Sequence, residues 1–446
     1  MLFRQFVDDD LGCASYLIGD EKAGEAVVVD PAYAIEPYLQ EAGRHGLTLC
    51  CVLETHTHAD HVSGHGRLAL EHGVPIRIHS DAEPDFPFEP LVDGTEIQVG
   101  DVSLTTLHTP GHRPEHCCFA VTDHSRAEEP WLVLTGDSLL VGDAARPDLA
   151  VQAQEGAQAL FHSLQRLLEL PDGVEVYPGH VAGSLCGAGM SSKPSSTVGF
   201  ERRFNRALGI EDEFDFVAQT AAVRAARPPN LERIVELNRG QLLGAQPPLE
   251  PTRAPEGATV LDVRQAETFA QGHVERALNV PLEGSSFATK AAFILSPGER
   301  VVLHAGSPDE ARRAARGLNA VGIFELAGFL EHSMTPARLR TIDLPELRDR
   351  LEQGSIDLID VREKDERDDG YIPGSRNIPY RLVRAYAGEL AGDRPVATIC
   401  ESGARAAIAA SVLAASGIDA RPVLHGGVND WEADGRQTVK FRRCGN

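Results

Sequence analysis

Four side chains that prefer water or a metal to an apolar core fall within six residues of one another: His56-x-His58-x-Asp60-His61, inside ETHTHADHVSG (54–64). The string follows the apolar run LCCVLE, which places it on a loop leaving a strand. Imidazoles and carboxylates crowded this closely compete for solvation unless a cation organises them. A fold that carries such a loop must therefore bring more ligands to it. The candidates stand at the ends of other apolar runs: His112 in TPGHRPEH, Asp137 in LTGDSLL and His180 in YPGH. The isolated His65, His72, His79, His108 and His116 read as surface or satisfied core histidines.

The rest of residues 1–180 supports that reading. Short β-branched or apolar runs alternate with polar turns, as in AVVVD (26–30), IRIHS (76–80), VSLTTLHT (102–109), CCFAV (117–121) and WLVLTGD (131–137). Several end in a chemically loaded loop, as buried strands feeding a catalytic loop do. Residues 184–240 pass from a Gly/Ser-rich loop into helical spacing, broken at RPPN (227–230). The Pro-rich GAQPPLEPTRAPEG (244–257) has no periodicity and reads as a linker.

Beyond the linker the chain repeats itself. LDVRQAETFAQGHVERALNVPL (261–282) aligns without a gap to IDVREKDERDDGYIPGSRNIPY (359–380), with Asp262/Asp360, Arg264/Arg362, Gly272/Gly370 and Asn279/Asn377 in step. A period near 100 residues is too long for a solenoid and implies two tandem copies of one small α/β domain. The expected domains are 1–243, 257–340 and 343–446.

A formal charge of −24 argues against nucleic acid or an anionic membrane as partner. The start, MLFRQFVDDD, lacks the apolar core of a signal peptide, and no run approaches the roughly 20 apolar residues of a membrane helix. A cytoplasmic protein with free thiols is expected. Cys13, Cys50, Cys51, Cys117 and Cys118 lie in or beside apolar runs and read as small core residues, and Cys444 as a tail thiol.

The histidine string with His112, Asp137 and His180 resembles the metallo-β-lactamase superfamily over residues 1 to about 240. The resemblance implies a four-layer αβ/βα sandwich with metal at the loop edge between two sheets. All seven potential ligands are present, so counting them does not separate a dinuclear zinc hydrolase from a mononuclear iron oxygenase. MLFRQF, YLIGD, AVVVDP and the SSTVGFERRFN segment (195–205) look like the persulfide dioxygenase branch. That likeness implies one Fe(II) per chain on His56, His112 and Asp137, with His58, Asp60, His61 and His180 as a hydrogen-bonding shell. Two His and one carboxylate leave positions open for O2 and a thiolate-like substrate. The implied reaction oxidises the terminal sulfur of a persulfide to sulfite. An anionic carrier, glutathione or coenzyme A, needs local cations, and Arg202 and Arg203 are candidates. Cys186, between glycines in GSLCGAG, is a candidate for persulfide handling.

A second site lies at Cys400-Glu401-Ser402-Gly403-Ala404-Arg405, between the apolar run VATIC and an Ala-rich helix. A thiol at such a turn faces backbone N–H groups and the positive end of the helix dipole, which favours thiolate. Gly403 permits the tight turn and Arg405 adds a fixed charge. With DVRE, GYIPGSRNIPY and LHGGVNDW, the loop resembles the rhodanese active loop over about 343–434. Cys400 is then the persulfide-carrying nucleophile. Glu401 beside it opposes anionic substrates and argues against thiosulfate as donor. In the first copy His304 stands opposite Cys400, so that copy is expected to be inactive.

The fold expected is thus a metallo-β-lactamase αβ/βα sandwich followed by two rhodanese-like three-layer α/β domains. The function expected is persulfide oxidation joined to sulfur transfer, with thiosulfate formed or used, in sulfide detoxification by a homo-oligomer. The rival is a dinuclear zinc thioester hydrolase of the glyoxalase II type tethered to a sulfurtransferase.

Overall fold

The computed structural model describes residues 1–181, 190–222, 226–253, 256–330 and 336–441. Two compact units emerge: Met1–Gln246 with Asn319–Gly322, and Pro247–Leu318 with Ile323–Asn446.

The first unit holds two six-stranded sheets. One runs in chain order through β1 (Leu2–Val7), β2 (Ala14–Asp20), β3 (Glu25–Val29), β4 (Thr48–Leu53), β5 (Ile76–His79) and β6 (Glu89–Leu91). The other contains β7 (Glu96–Val99), β8 (Val102–His108), β9 (Cys117–Asp123), β10 (Leu132–Gly136), β13 (Glu175–Pro178) and β14 (Ser196–Thr197), in the order β14-β13-β10-β9-β8-β7. A short ladder joins β11 (Leu139–Leu140) to β12 (Asp143–Ala144). The helices are α1 (Glu36–Arg44), α2 (His65–His72), α3 (Ala153–Leu167), α4 (Val198–Phe204), α5 (Glu213–Thr220) and α6 (Leu231–Arg239).

The strands read as near-continuous apolar runs because both faces of each sheet are covered. Successive side chains point to opposite faces. Tyr16, Ile18, Val27, Val29, Cys51 and Leu53 enter a core shared with Phe119, Val121, Leu132 and Leu134 of the other sheet. Their alternates Leu17, Val28 and Val52 pack on Ile35, Tyr38 and Leu68 beneath α1 and α2. Cys118, Val133 and Val176 pack on Leu160, Leu164 and Phe216 of α3 and α5. Three apolar layers between four layers of structure are the expected αβ/βα sandwich.

The second unit contains two parallel sheets. The first copy is ordered β15-β19-β18-β16-β17, from β15 (Pro251–Thr252), β16 (Thr259–Asp262), β17 (Leu278–Asn279), β18 (Val301–His304) and β19 (Leu326–Leu330). The second is ordered β21-β20-β22-β23, from β20 (Asp357–Asp360), β21 (Arg376–Asn377), β22 (Val396–Ile399) and β23 (Ala420–Pro422). Their helices include α7 (Ala266–Gln271), α8 (Phe287–Ile294), α9 (Pro308–Ala320), α10 (Leu344–Glu352), α11 (Lys364–Asp368), α12 (Val383–Tyr386), α13 (Ala404–Ala415) and α14 (Val428–Ala433).

Two sequence expectations change here. Part of the Pro-rich stretch is an edge strand: Pro251 and Thr252 pair in parallel with Phe329 and Leu330. Proline at a sheet edge needs no donor on its outer side, so a strand this short hides within an aperiodic run. The second change concerns His304. The register sets Asp262 opposite His304 and Asp360 opposite Ile399. His304 is therefore the last strand residue, and Ala305, not His304, holds the place of Cys400.

Candidate metal centre and sulfur-transfer loop

The loops after β4, β8 and β10 bring His56, His112 and Asp137 together, each 1% exposed. The Nε2 atoms of His56 and His112 lie 3.9 and 3.5 Å from Asp137 Oδ2. His56 Nε2 and Asp137 Oδ2 are buried without a hydrogen-bond partner. Buried polar atoms are rarely left so, and with His112 these form a cluster of ligand atoms within 4.8 Å of one another, the donor set a cation would take. The remaining atoms are already fixed. His112 Nδ1 donates to the Arg146 carbonyl at 3.0 Å, which leaves its Nε2 lone pair facing inward. His180 Nδ1 donates to Asp137 Oδ1 at 2.6 Å, leaving Oδ2 toward the triad. Burial pushes His56 and His112 down, so both rings are held neutral, as metal ligation requires. Burial also pushes Asp137 up, but His180 and His112 outweigh it and hold the carboxyl below its ordinary range.

Around this triad lies a shell of buried polar groups. His58 Nε2 sits 3.2 Å from Glu54 Oε2 and 3.3 Å from Asp30 Oδ1. Burial disfavours charging His58, yet the two carboxylates outweigh burial and raise it well above the ordinary range. Asp60 accepts from His180 Nε2 at 2.7 Å and lies 3.2 Å from His61 Nδ1. Cys13 joins them, its Sγ 3.3 Å from His180 Nε2 and 3.5 Å from His61 Nδ1. Asp60, His61 and Cys13 offer ligand atoms within 4.8 Å of one another.

Several of these partners escape a sequence reading. Asn238 on α6 clamps the histidine loop, donating to the carbonyls of His58 (2.9 Å) and His61 (2.8 Å) while its Oδ1 accepts from Ser63 N–H (2.9 Å). No pattern links a loop to a helix residue so far along the chain. His65 bonds Glu54 Oε1 at 2.9 Å, and His116 Nε2 accepts from the Asp137 N–H at 2.9 Å. His79 and His108 stack with ring centroids 4.1 Å apart.

Arg202 and Arg203 lie on the exposed side of α4. The Arg202 guanidinium is engaged by Asp172 (3.0 Å) and the Leu168 carbonyl (2.7 Å) rather than left open to an anion. Glu201 turns inward instead, accepting from Gly142 N–H and Asn205 Nδ2. Cys186 and Cys444 lie outside the described residues.

In the second unit Cys400 follows β22, is 1% exposed, and its Sγ accepts from Gly403 N–H at 3.2 Å. Gly403, at φ +85°, caps α13; a Cβ there would stand 2.0 Å from the Leu424 carbonyl oxygen, so the loop is closed against its neighbour. Arg405 makes a two-pronged pair with Glu366 at 2.6 and 2.7 Å. In the first copy His304 Nδ1 instead bonds Asp262 Oδ2 at 2.9 Å.

Comparison with known proteins agrees with this geometry. Residues 8–180 match the Metallo-beta-lactamase superfamily, and residues 250–335 and 343–434 each match the Rhodanese-like domain. The chain is 33% identical over 244 residues to "Persulfide dioxygenase ETHE1, mitochondrial" of Bos taurus, covering 53% of this chain and 87% of that protein. It is 33% identical over 158 residues to a hydroxyacylglutathione hydrolase of Pseudoalteromonas translucida, covering 35% of this chain and 56% of that protein. The crystal structure of a metallo-beta-lactamase from Staphylococcus aureus superposes with a TM-score of 0.69 at 31% identity, covering 74% of this chain and 98% of that one.

Proposed function

The chain belongs to the persulfide dioxygenase family of the metallo-β-lactamase superfamily, followed by two rhodanese-like domains, and on that premise we propose that it oxidises low-molecular-weight persulfides with O2 to sulfite and moves sulfane sulfur through Cys400. The observation that carries the first half is the convergence of His56, His112 and Asp137 with two unpartnered buried atoms. One Fe(II) on these three residues would supply the redox chemistry with O2, and the set leaves positions for both reactants.

The chain's own residues do the rest. His180 and the Arg146 carbonyl orient Asp137 and His112, and Asn238 holds the loop that carries His56. Asp60, His61 and Cys13 stay in mutual hydrogen bonds as a buried polar shell. The backbone N–H of Gly403, 3.2 Å from Cys400 Sγ, would hold a sulfur anion on Cys400. Arg203 and Cys186 are assigned to the carrier thiol, glutathione or coenzyme A, and the first rhodanese-like copy, taken as inactive, to positioning the second. Thiosulfate formation or use in a cytoplasmic homo-oligomer would place the reaction in sulfide detoxification.

A second reading, a dinuclear zinc thioester hydrolase, draws on one observation, the Cys13–Asp60–His61 cluster beside the triad. Metal analysis and O2 consumption on anaerobically purified protein separate the two, with glutathione persulfide and then coenzyme A persulfide as substrate. About one iron per chain with O2 uptake and sulfite formed supports the dioxygenase. Two zincs and no O2 uptake would leave a hydrolase. Cys400→Ser then reports whether any thiosulfate depends on the rhodanese loop.

A further inference from the structure

We propose that the Cys400 loop is charged by an organic persulfide and discriminates against thiosulfate, with Glu401 as the residue that sets this preference. The inference rests on the sulfurtransferase reading of that loop and narrows it to a donor class.

Thiosulfate is a dianion, and a loop that takes it needs cationic groups with hydrogen-bonding capacity to spare. Here Arg405, whose charge bears on Cys400, and Arg362, which reaches the neighbouring Glu401, are both engaged by carboxylates. Arg405 is spent on Glu366 at 2.6 and 2.7 Å. Arg362 grips Asp360 at 2.7 and 3.0 Å and the Gly370 carbonyl at 2.6 Å, and its remaining Nη1 lies 3.6 Å from Glu401 Oε2. Two guanidiniums, Arg405 and Arg362, thus face three carboxylates, Glu366, Asp360 and Glu401, a net negative surround before the thiolate is counted.

Glu401 is the carboxylate next to the nucleophile, and it is held in place. Its Oε1 accepts from the Asn429 N–H at 3.3 Å while Oε2 faces Arg362. Its backbone is pressed against Gly427, where a Cβ would come within 2.1 Å of the Glu401 carbonyl oxygen. These contacts keep the carboxylate on the side of the loop that faces Arg362, where its charge meets an incoming dianion. A persulfide brings its transferable sulfur on an uncharged or singly charged end, with any carboxylates of the carrier farther off, and meets far less repulsion. The Cys400 thiolate attacks the outer sulfur of R–S–SH, the donor S–S bond breaks, and the departing sulfur takes the persulfide proton. The products are Cys400–S–S⁻ and R–SH, so charge and electrons balance without an added oxidant.

The test uses the full chain without O2, so that no donor is lost to oxidation. Glutathione persulfide or thiosulfate is mixed at equal concentration, the reaction is quenched by alkylation, and mass spectrometry follows the gain of one sulfur on the Cys400 peptide. Persulfide should load at least about tenfold faster, and Glu401→Gln should raise the thiosulfate-to-persulfide rate ratio about tenfold. Thiosulfate loading of the unsubstituted chain should also quicken with added salt, because screening weakens repulsion. Comparable rates from the two donors, or a ratio that Glu401→Gln leaves unchanged, would overturn the inference. Loading by neither donor would overturn the sulfurtransferase reading itself.

Discussion

His180 and Asp137 share a 2.6 Å hydrogen bond, Nδ1 to Oδ1, with both side chains buried. The bond spends one carboxylate oxygen and aims the other at His56 and His112. Because the same imidazole donates its Nε2 proton to Asp60, one residue fixes two acids. Partners of this kind typically contribute about 10–100-fold in metal affinity. His180→Ala should therefore weaken iron affinity, measured by competition with a chelator of known affinity under anaerobic conditions, by about that factor while the fold persists. An affinity equal to that of the unsubstituted chain would show that Asp137 needs no such support.

A pH prediction follows from His116. Its Nε2 accepts from the Asp137 N–H, and its Nδ1 lies 3.0 Å from Thr109 Oγ1 and 3.2 Å from Ser138 Oγ, deep behind the triad. Burial pushes its pKa down to about 3. An unfolded histidine titrates near about 6.5. Between those values the unfolded chain binds a proton that the folded chain refuses. The stability this residue supports is thus complete above about pH 6.5 and is lost as pH falls, by about 1.4 kcal/mol per pH unit. In metal-free protein, His116→Asn should flatten the fall in unfolding free energy between about pH 6 and about pH 4 by that slope. An unaltered slope would mean that His116 takes up its proton without unfolding.

Much of this site is legible in sequence because its signals are local. His56, His58, Asp60 and His61 share one loop, and His112, Asp137 and His180 each follow an apolar run that becomes a strand. The Cys400 loop is legible for the same reason, since CESGAR links a strand to a helix. Cys13 and Asn238 are not, because what gives each its place is a contact across the fold and neither stands in a motif. A small thiol beside apolar residues reads as core, and Cys13 is indeed buried, but against His61 and His180. The mismatch at His304 has a different cause. The first copy has 42 residues from Asp262 to its strand partner and the second has 39 from Asp360, so an alignment anchored upstream drifts before it reaches the loop.

The two copies of the second unit are joined by a buried hydrogen bond, from the Asn279 N–H to Ser411 Oγ at 2.9 Å. Ser411 in turn donates to the Ile408 carbonyl at 2.7 Å, so the hydroxyl both gives and accepts. Ser411→Ala leaves the Asn279 N–H without an acceptor in a site that excludes water. The cost of such an orphan is about 1–3 kcal/mol. Denaturant titration of the Ser411→Ala chain should show that loss in the transition that reports the second unit, and an unshifted midpoint would show that water reaches Asn279.

Gly403 offers the sharpest separation of the two chemistries. Its φ of +85° lies where an L side chain costs about 1–2 kcal/mol, and a Cβ would meet the Leu424 carbonyl oxygen at 2.0 Å. Leu424 follows the strand Ala420–Pro422 and cannot retreat without disturbing Val423, whose N–H donates to the Thr398 carbonyl at 3.0 Å. The active loop must yield instead, carrying the Gly403 N–H away from the Cys400 sulfur. Gly403→Ala should slow persulfide loading of Cys400 by about 100-fold, the cost of roughly 2.7 kcal/mol in the transition state. Iron content and persulfide-dependent O2 uptake, proposed for the first unit, should be retained. Loss of all three activities together would show that the loop substitution unfolds the chain; unimpaired loading would show that Cys400 does not need the Gly403 amide.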